Sequence, residues 1–210
     1  MAMRKLWSLC ASVRHFEYSL TARTLFLKAA SRSDYRRWRN ARNLEASWDS
    51  RTELMARLVP PNTRVLELGA GRQILRHLLH SSCTYFALDL VARTPETIVC
   101  DLNKRPLPDL RAGHFDVAML SGVLEYIHDV PSFVGWLAGQ VRICIASYCC
   151  HYPHRSATGD FIQRSLRLQG GWVNSLTEED FVQLFTNAGF RCTAKENWIE
   201  AQRIFVFERG

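Results

Sequence analysis

The chain has 210 residues, 47% hydrophobic and 22% charged, which is enough apolar mass for one ordinary globular core and too much for a disordered tail. No apolar run approaches the roughly 20 residues of a transmembrane helix, and Leu6 to Val13 is interrupted too soon by Arg14 to make a signal peptide, so a cytoplasmic setting is expected. Seven cysteines, odd in number and without a CxxC pair, argue against a disulfide framework or a zinc site, and no metal is expected.

The formal charge of +7 is unevenly placed. Residues 1–60 hold 12 Lys and Arg against 5 Asp and Glu, whereas 61–210 hold 15 against 15. Such a segment can meet nucleic acid or an anionic membrane, but a solvated, arginine-rich helical surface is the preferred reading. Its aromatics, Trp7, Phe16, Tyr18, Phe26, Tyr35, Trp38 and Trp48, fit packing better than base stacking, because no RNA-binding module accompanies them. Residues 1–49 are read as a basic helical extension and 50–210 as the ligand-binding domain. Ser50-Arg51-Thr52-Glu53 has the form of a capping box and opens a helix with Leu54 and Leu58 on one face, which Pro60-Pro61 ends.

Val65, Leu66 and Leu68 then form a buried-type strand that runs into Gly69-Ala70-Gly71, followed by an apolar-periodic helix with Ile74, Leu75, Leu78 and Leu79. Strand, glycine turn and helix is the order a nucleotide-like ligand needs, since glycines admit a ligand close to the backbone. Glu67 repels a pyrophosphate and attracts a hydroxyl or ammonium group, so a cationic nucleoside is favoured over a dinucleotide. Thr84 to Asp89 is a second strand, and Asp89, 20 residues beyond Gly69, is placed to accept both ribose hydroxyls. A shorter third strand, Thr97 to Cys100, leads to Asp101-Leu102 beside an adenine. For each aspartate the alternative is a turn or helix cap.

The fourth strand, Phe115 to Leu120, is followed by Ser121-Gly122, small residues that leave room for a ligand. Asp129-Val130-Pro131 opens a helix with Phe133, Trp136, Leu137 and Val141. Arg142 to Ser147 is the fifth strand. The stretch Tyr148 to Asn174, with His151, His154, Arg155 and Trp172, lacks clear periodicity and reads as a lid or substrate loop with room for a helix. Thr177 caps a clean helix with Phe181, Leu184, Phe185 and Ala188 on one face, stopped by Gly189. The last strands, about 190–197 and 203–208, are joined too tightly for a crossover and must pair antiparallel.

Taken in this order, Glu67-Leu-Gly69-Ala-Gly71, Asp89, Asp101-Leu102, Phe115-Asp116, Val123-Leu-Glu-Tyr-Ile127 and the terminal hairpin resemble the class I S-adenosylmethionine (SAM)-dependent methyltransferases of the small-molecule branch, over about residues 50–210. The resemblance implies an α/β fold, a doubly wound, seven-stranded, mostly parallel sheet with a C-terminal antiparallel hairpin. It implies SAM as cofactor and a small polar methyl acceptor, a sugar or another metabolite. By the same resemblance Glu67 lies at the methionine end of SAM and Gly69, Ala70 and Gly71 pass close to it. Asp89 and Leu90 meet the ribose, Asp101 and Leu102 flank the adenine, and Ser121 and Gly122 stand near the methionine part. Two departures follow: Gln73 stands where a third glycine is frequent and should narrow the turn, and Tyr126 replaces a frequent histidine. His128 and His151, with His154 behind them, are then the candidate bases. Two alternatives stand beside this reading, a methyltransferase-like module that docks on RNA, a membrane or a protein through its basic N-terminus, and an NAD-dependent oxidoreductase, which Gln73, Glu67 and the hairpin disfavour.

Overall fold

The computed structural model describes residues 20–153, 156–199 and 201–210. Its strands are β1 (Arg64–Leu68), β2 (Thr84–Asp89), β3 (Ile98–Val99), β4 (Val117–Ser121), β5 (Ile143–Cys149), β6 (Phe190–Ile199) and β7 (Gln202–Arg209). They form one sheet in the order β3-β2-β1-β4-β5-β7-β6. The pairs from β3 through β5 are parallel, β7 runs antiparallel to β5, and β6 antiparallel to β7.

The period of two along the strands divides the core between the two faces. Leu66, Leu68, Ala118, Leu120, Phe205 and Phe207 point to one face, where they meet Phe133 and Leu137 of α5 (Val130–Ala138) and Phe181 and Phe185 of α7 (Glu178–Asn187). Val65, Val117, Met119, Ile204 and Val206 point to the other, against Met55 of α3 (Asp49–Ala56) and Leu75 of α4 (Leu75–Leu78). The first face is held by aromatics: Phe185 stacks on Phe207 at 3.9 Å, and Tyr148 on Phe181 at 4.6 Å. Both helices there are capped as their sequences dictate. Asp129 accepts from the Ser132 amide, and Thr177 and Asp180 close a reciprocal capping box.

Three expectations need correction. The capping box at Ser50 does not form. α3 starts at Asp49, which puts Ser50 inside the helix, where its hydroxyl bonds the Ser47 carbonyl and accepts from the Trp198 indole. The helix after the glycine turn is a single turn, because Leu79 leaves the helical region (ψ 152°) and His80 and Ser82 close a side-chain turn at 2.7 Å. The segment Tyr148 to Asn174 is not a loop throughout, and the helix for which the sequence left room is there. It holds the end of β5, the 13-residue helix α6 (Ala157–Gln169) and the buried side chains of Tyr148, Cys150, His151, Arg167 and Val173. Its periodicity reads poorly because Phe161, Ile162 and Leu166 of α6 face outward while a charged residue, Arg167, faces in.

Ahead of α3 lie a helix over 20–29, here α1, and the short α2 (Tyr35–Arg39). They do not enter either core cluster. Arg23 of α1 pairs with Asp34, which also caps α2 by accepting from the Arg37 amide at 2.9 Å.

Candidate functional site

The strand order reverses between β1 and β4, and a cavity opens there at the carboxyl ends of the strands, where α/β sheets bind ligands. Its floor is the turn after β1. Gly69 and Gly71 both have left-handed φ values, +71° and +50°. A Cβ on Gly69 would stand 2.5 Å from a methyl of Val123, so the turn can lie against that side chain only as glycine. Gln73 takes φ +57°, the conformation a third glycine would have favoured. Its side chain does not narrow the cavity as expected: it turns into the protein and donates to Thr97 Oγ1 at 3.0 Å.

Two carboxyl groups face this floor. Asp89, 6% exposed, accepts from the Gly71 amide at 2.6 Å through one oxygen and from the Val91 amide at 3.1 Å through the other. One side chain thus fixes the turn and leaves further lone pairs available to a ligand. Glu67, 4% exposed, accepts from the Tyr85 hydroxyl at 2.6 Å. Burial pushes its pKa up to about 8, the Tyr85 hydrogen bond opposes the rise, and the Asp89 charge adds to it.

The wall beyond β3 and β4 is a hydrogen-bonded network. Asp101 accepts from the Ser33 hydroxyl at 2.6 Å and the Asn103 amide at 3.0 Å, and the Asn103 side chain donates to Ser33 and to the Tyr126 carbonyl. The Asn103 oxygen accepts from the His128 amide at 2.9 Å. The His128 ring nitrogen Nε2 lies 3.1 Å from the Arg32 carbonyl. A carbonyl only accepts, so Nε2 carries the hydrogen and Nδ1 is the proton acceptor of the neutral ring. Gly122 follows β4 at φ +68°, with the Arg51 guanidinium where its Cβ would be.

The mouth is built by the N-terminal segment. Thr24, Leu27, Trp38, Leu44 and Trp48 line it. Trp38 meets Tyr126 edge to face at 4.9 Å, and Arg37 lies over both rings while donating to the Gly170 carbonyl at 2.6 Å.

Of the expected site residues, Glu67, Gly69, Ala70, Gly71, Asp89, Leu90, Asp101, Leu102, Ser121, Gly122 and His128 all line this one cavity. His151 does not: it is buried, with Nε2 3.1 Å from Asp160 of α6. His154 lies outside the described residues. Sequence reasoning missed Ser33, Arg37, Leu44, Arg51 and Asn103. The polar Asn103, two residues after Asp101, is the one signal that was available.

A family model described as a methyltransferase domain matches residues 34–195. The chain belongs to this family. It is a class I methyltransferase that takes its methyl group from SAM. No curated protein sequence matches the methyltransferase. Among solved structures it is similar to a Burkholderia thailandensis 1,6-didemethyltoxoflavin-N1-methyltransferase holding 1,6-didemethyltoxoflavin and S-adenosylhomocysteine, at 17% identity and TM-score 0.59 over 92% of this chain and 89% of that one. The mitomycin 7-O-methyltransferase MmcR is similar at 14% identity and TM-score 0.64, over 92% and 67% of the two chains. A methyltransferase of calicheamicin biosynthesis, in its S-adenosylhomocysteine-bound form, is similar at 16% and 0.60, over 93% and 69%. At these identities the likeness shows the fold of the methyltransferase.

Proposed function

We propose that the methyltransferase binds SAM in the cavity at the ends of β1, β2 and β4 and transfers its methyl group to a small polar acceptor that enters beneath α1 and α2. The observation that carries this reading is Asp89, buried at the end of β2 and holding the glycine turn through the Gly71 amide while facing the cavity. A carboxylate so placed suits a ribose diol, and the buried Glu67, which a neighbouring cation would favour in its ionised form, suits positive charge and not a pyrophosphate. SAM supplies an already activated methyl group on a sulfonium, so the protein's share is positioning, exclusion of water and, for an oxygen acceptor, a base.

In this reading Gly69, Ala70 and Gly71 pass along the cofactor, Asp89 and Leu90 meet its ribose, Asp101 and Leu102 its adenine, and Glu67, Ser121 and Gly122 its methionyl arm. His128 is the candidate base, because its Nδ1 is the open acceptor and it faces the cavity. His151 lies outside the cavity with its Nε2 against Asp160, away from any acceptor held there. Trp38, Trp48 and Tyr126 support an acceptor with a flat face, whether a ring compound or a sugar. We keep residues 50–210 as the methyltransferase domain and 1–49 as an extension whose described part covers the mouth.

Calorimetric titration with SAM, S-adenosylhomocysteine and NAD, followed by a metabolite screen for methyl acceptance, tests the proposal. Binding of both adenosyl compounds and not of NAD is expected. Saturable NAD binding with no response to S-adenosylhomocysteine would overturn it.

A further inference from the structure

α1 has two different sides. Thr24 and Leu27 turn inward and line the cavity mouth. Ala22, Leu25, Phe26 and Ala29 recur at i, i+3, i+4 and i+7, the spacing of one helix face, and all four are exposed, Leu25 at 50% and Phe26 at 64%. A lone surface leucine says little, but a leucine and a phenylalanine side by side on one helix stripe make a contiguous apolar patch.

The charges near this stripe are of one sign. Residues 20–48 hold seven Lys and Arg against two acids, Asp34 and Glu45, and Asp34 is already paired with Arg23. That pair ties α2 to α1, so the exposed arginines of α2 belong to the same part of the surface. Lys28, Arg32, Arg36, Arg39 and Arg42 are all exposed, and none of them forms a salt bridge among the described residues. Arg36 and Arg39 lie three apart on α2, whereas Arg37 and Trp38 between them line the cavity. A solvated basic surface accounts for these cations and leaves Leu25 and Phe26 unexplained. α6 also exposes Phe161, Ile162 and Leu166, but its arginines are engaged, Arg164 by Asp160 and Arg167 by the Cys149 carbonyl, so charge gives that face no occupant.

Exposed apolar side chains beside uncompensated positive charge match the surface of an anionic bilayer, where the first enter the boundary between head groups and acyl chains and the second meet the head groups. A second copy of the chain would bring the same positive excess against this face. A nucleic acid offers phosphates to the arginines but no apolar partner to Leu25. We propose that α1 and α2 dock the protein on an anionic lipid surface, with Leu25 and Phe26 inserted and Lys28, Arg36 and Arg39 against the head groups. At ten residues α1 is about 15 Å long, so it lies in the plane of the interface, and no helix among the described residues is long and apolar enough to cross a membrane. The inner face of α1 lines the cavity mouth, so docking brings that mouth close to the bilayer. The inference does not rest on what the cavity binds.

The test is co-sedimentation of the full chain with vesicles of phosphatidylcholine alone and with vesicles of phosphatidylcholine and phosphatidylglycerol, at low and at physiological salt. The wild type should pellet with the anionic vesicles and not the neutral ones, and less at physiological salt, where screening shortens to about 8 Å. Arg36→Glu with Arg39→Glu should weaken vesicle binding roughly tenfold or more, and Leu25→Ser with Phe26→Ser should weaken it comparably. None of the four residues belongs to a core cluster, so the thermal midpoints should stay near that of the wild type. Wild-type protein left in the supernatant by anionic vesicles overturns the inference whatever the variants do, as does equal binding to neutral ones. So does a Leu25→Ser, Phe26→Ser variant that binds like the wild type while the charge-reversed one does not, the result expected if the arginines serve a nucleic acid or an acidic protein. A lipid-free dimer that the Leu25→Ser, Phe26→Ser variant dissociates would assign the stripe to a second copy and overturn it too.

Discussion

Glu67 holds its proton up to about 8 in the folded protein, against 4.5 for an ordinary glutamate, because burial disfavours the carboxylate. Between those values the folded chain binds more protons than the unfolded one. The contribution of this group to stability is therefore full below about 4.5 and is lost as pH rises through about 8. Thermal melts of the ligand-free protein should show the wild-type midpoint falling relative to Glu67→Gln by several degrees over that window, since at this size roughly 2–4 °C corresponds to 1 kcal/mol. Parallel pH profiles for the two proteins would mean Glu67 is already ionised. Asp89 has two tasks, the turn and the ligand. Asp89→Ala should weaken S-adenosylhomocysteine binding by about 1.5–3 kcal/mol from the ligand contact alone, and Asp89→Asn should lose less, because its amide oxygen still accepts from Gly71. Unchanged affinity would place the ribose elsewhere. For His128, replacement by Asn should cut turnover of an oxygen acceptor by about 10²–10⁴-fold with cofactor affinity intact, the range for a lost general base; undiminished turnover would remove it from the chemistry.

At the scale of elements, the strongly patterned ones carry the stability. Phe185 is fully buried and stacked on Phe207, so Phe185→Ala should cost about 3–5 kcal/mol by chemical denaturation. Thr177→Ala, which removes one capping bond, should cost about 1 kcal/mol. A smaller loss for the phenylalanine than for the cap would contradict the packing described for that face. The strands β1, β2, β4, β5, β6 and β7 were legible in the sequence to within a few residues because each is a dense apolar run. β3 shrank to Ile98–Val99 since the Thr97 hydroxyl is spent on the preceding turn, accepting from the Arg93 and Thr94 amides. α6, for which the sequence left room, had no legible bounds for a different reason: its outward apolar residues and inward Arg167 invert the usual pattern, and the Arg167 guanidinium donates to the Cys149 carbonyl at 2.8 Å, a contact 18 residues away in sequence. Hydrogen exchange should accordingly protect the amides of His151 and Val173, which donate to Leu176 and Glu125 carbonyls, well before any ligand is added. Fast exchange there would restore the lid.

At the scale of the whole molecule, the cavity floor could be read from residues close together in sequence, as the glycine turn and the strand-end acids show. Its roof could not. Ser33, Arg37 and Trp38 come from a stretch read only as a basic helical extension and Arg51 from the helix that follows it, and their partners, Asp101, Gly170, Tyr126 and Ser121, lie at least 68 residues away. Only the fold brings them together. The described arginines of the basic segment are partly consumed inside the protein, Arg23 by Asp34, Arg37 by Gly170 and Arg51 by the cavity. Deleting residues up to Ala46 removes no member of either core cluster, so the sheet should still fold. The cavity, however, loses its mouth and the Ser33 bond to Asp101, and cofactor affinity should fall at least tenfold. If the remaining arginines recruit an anionic acceptor or partner, its binding should weaken steeply from low to physiological salt, as screening shortens to about 8 Å; indifference to salt would leave the segment as roof alone. The most direct test of the central claim is a crystal structure of the full chain with S-adenosylhomocysteine. The account predicts the ribose hydroxyls on Asp89, the adenine beside Leu102 and the amino-acid arm beside Glu67 and Gly122. A nucleoside bound away from the ends of β1 and β2 would contradict it.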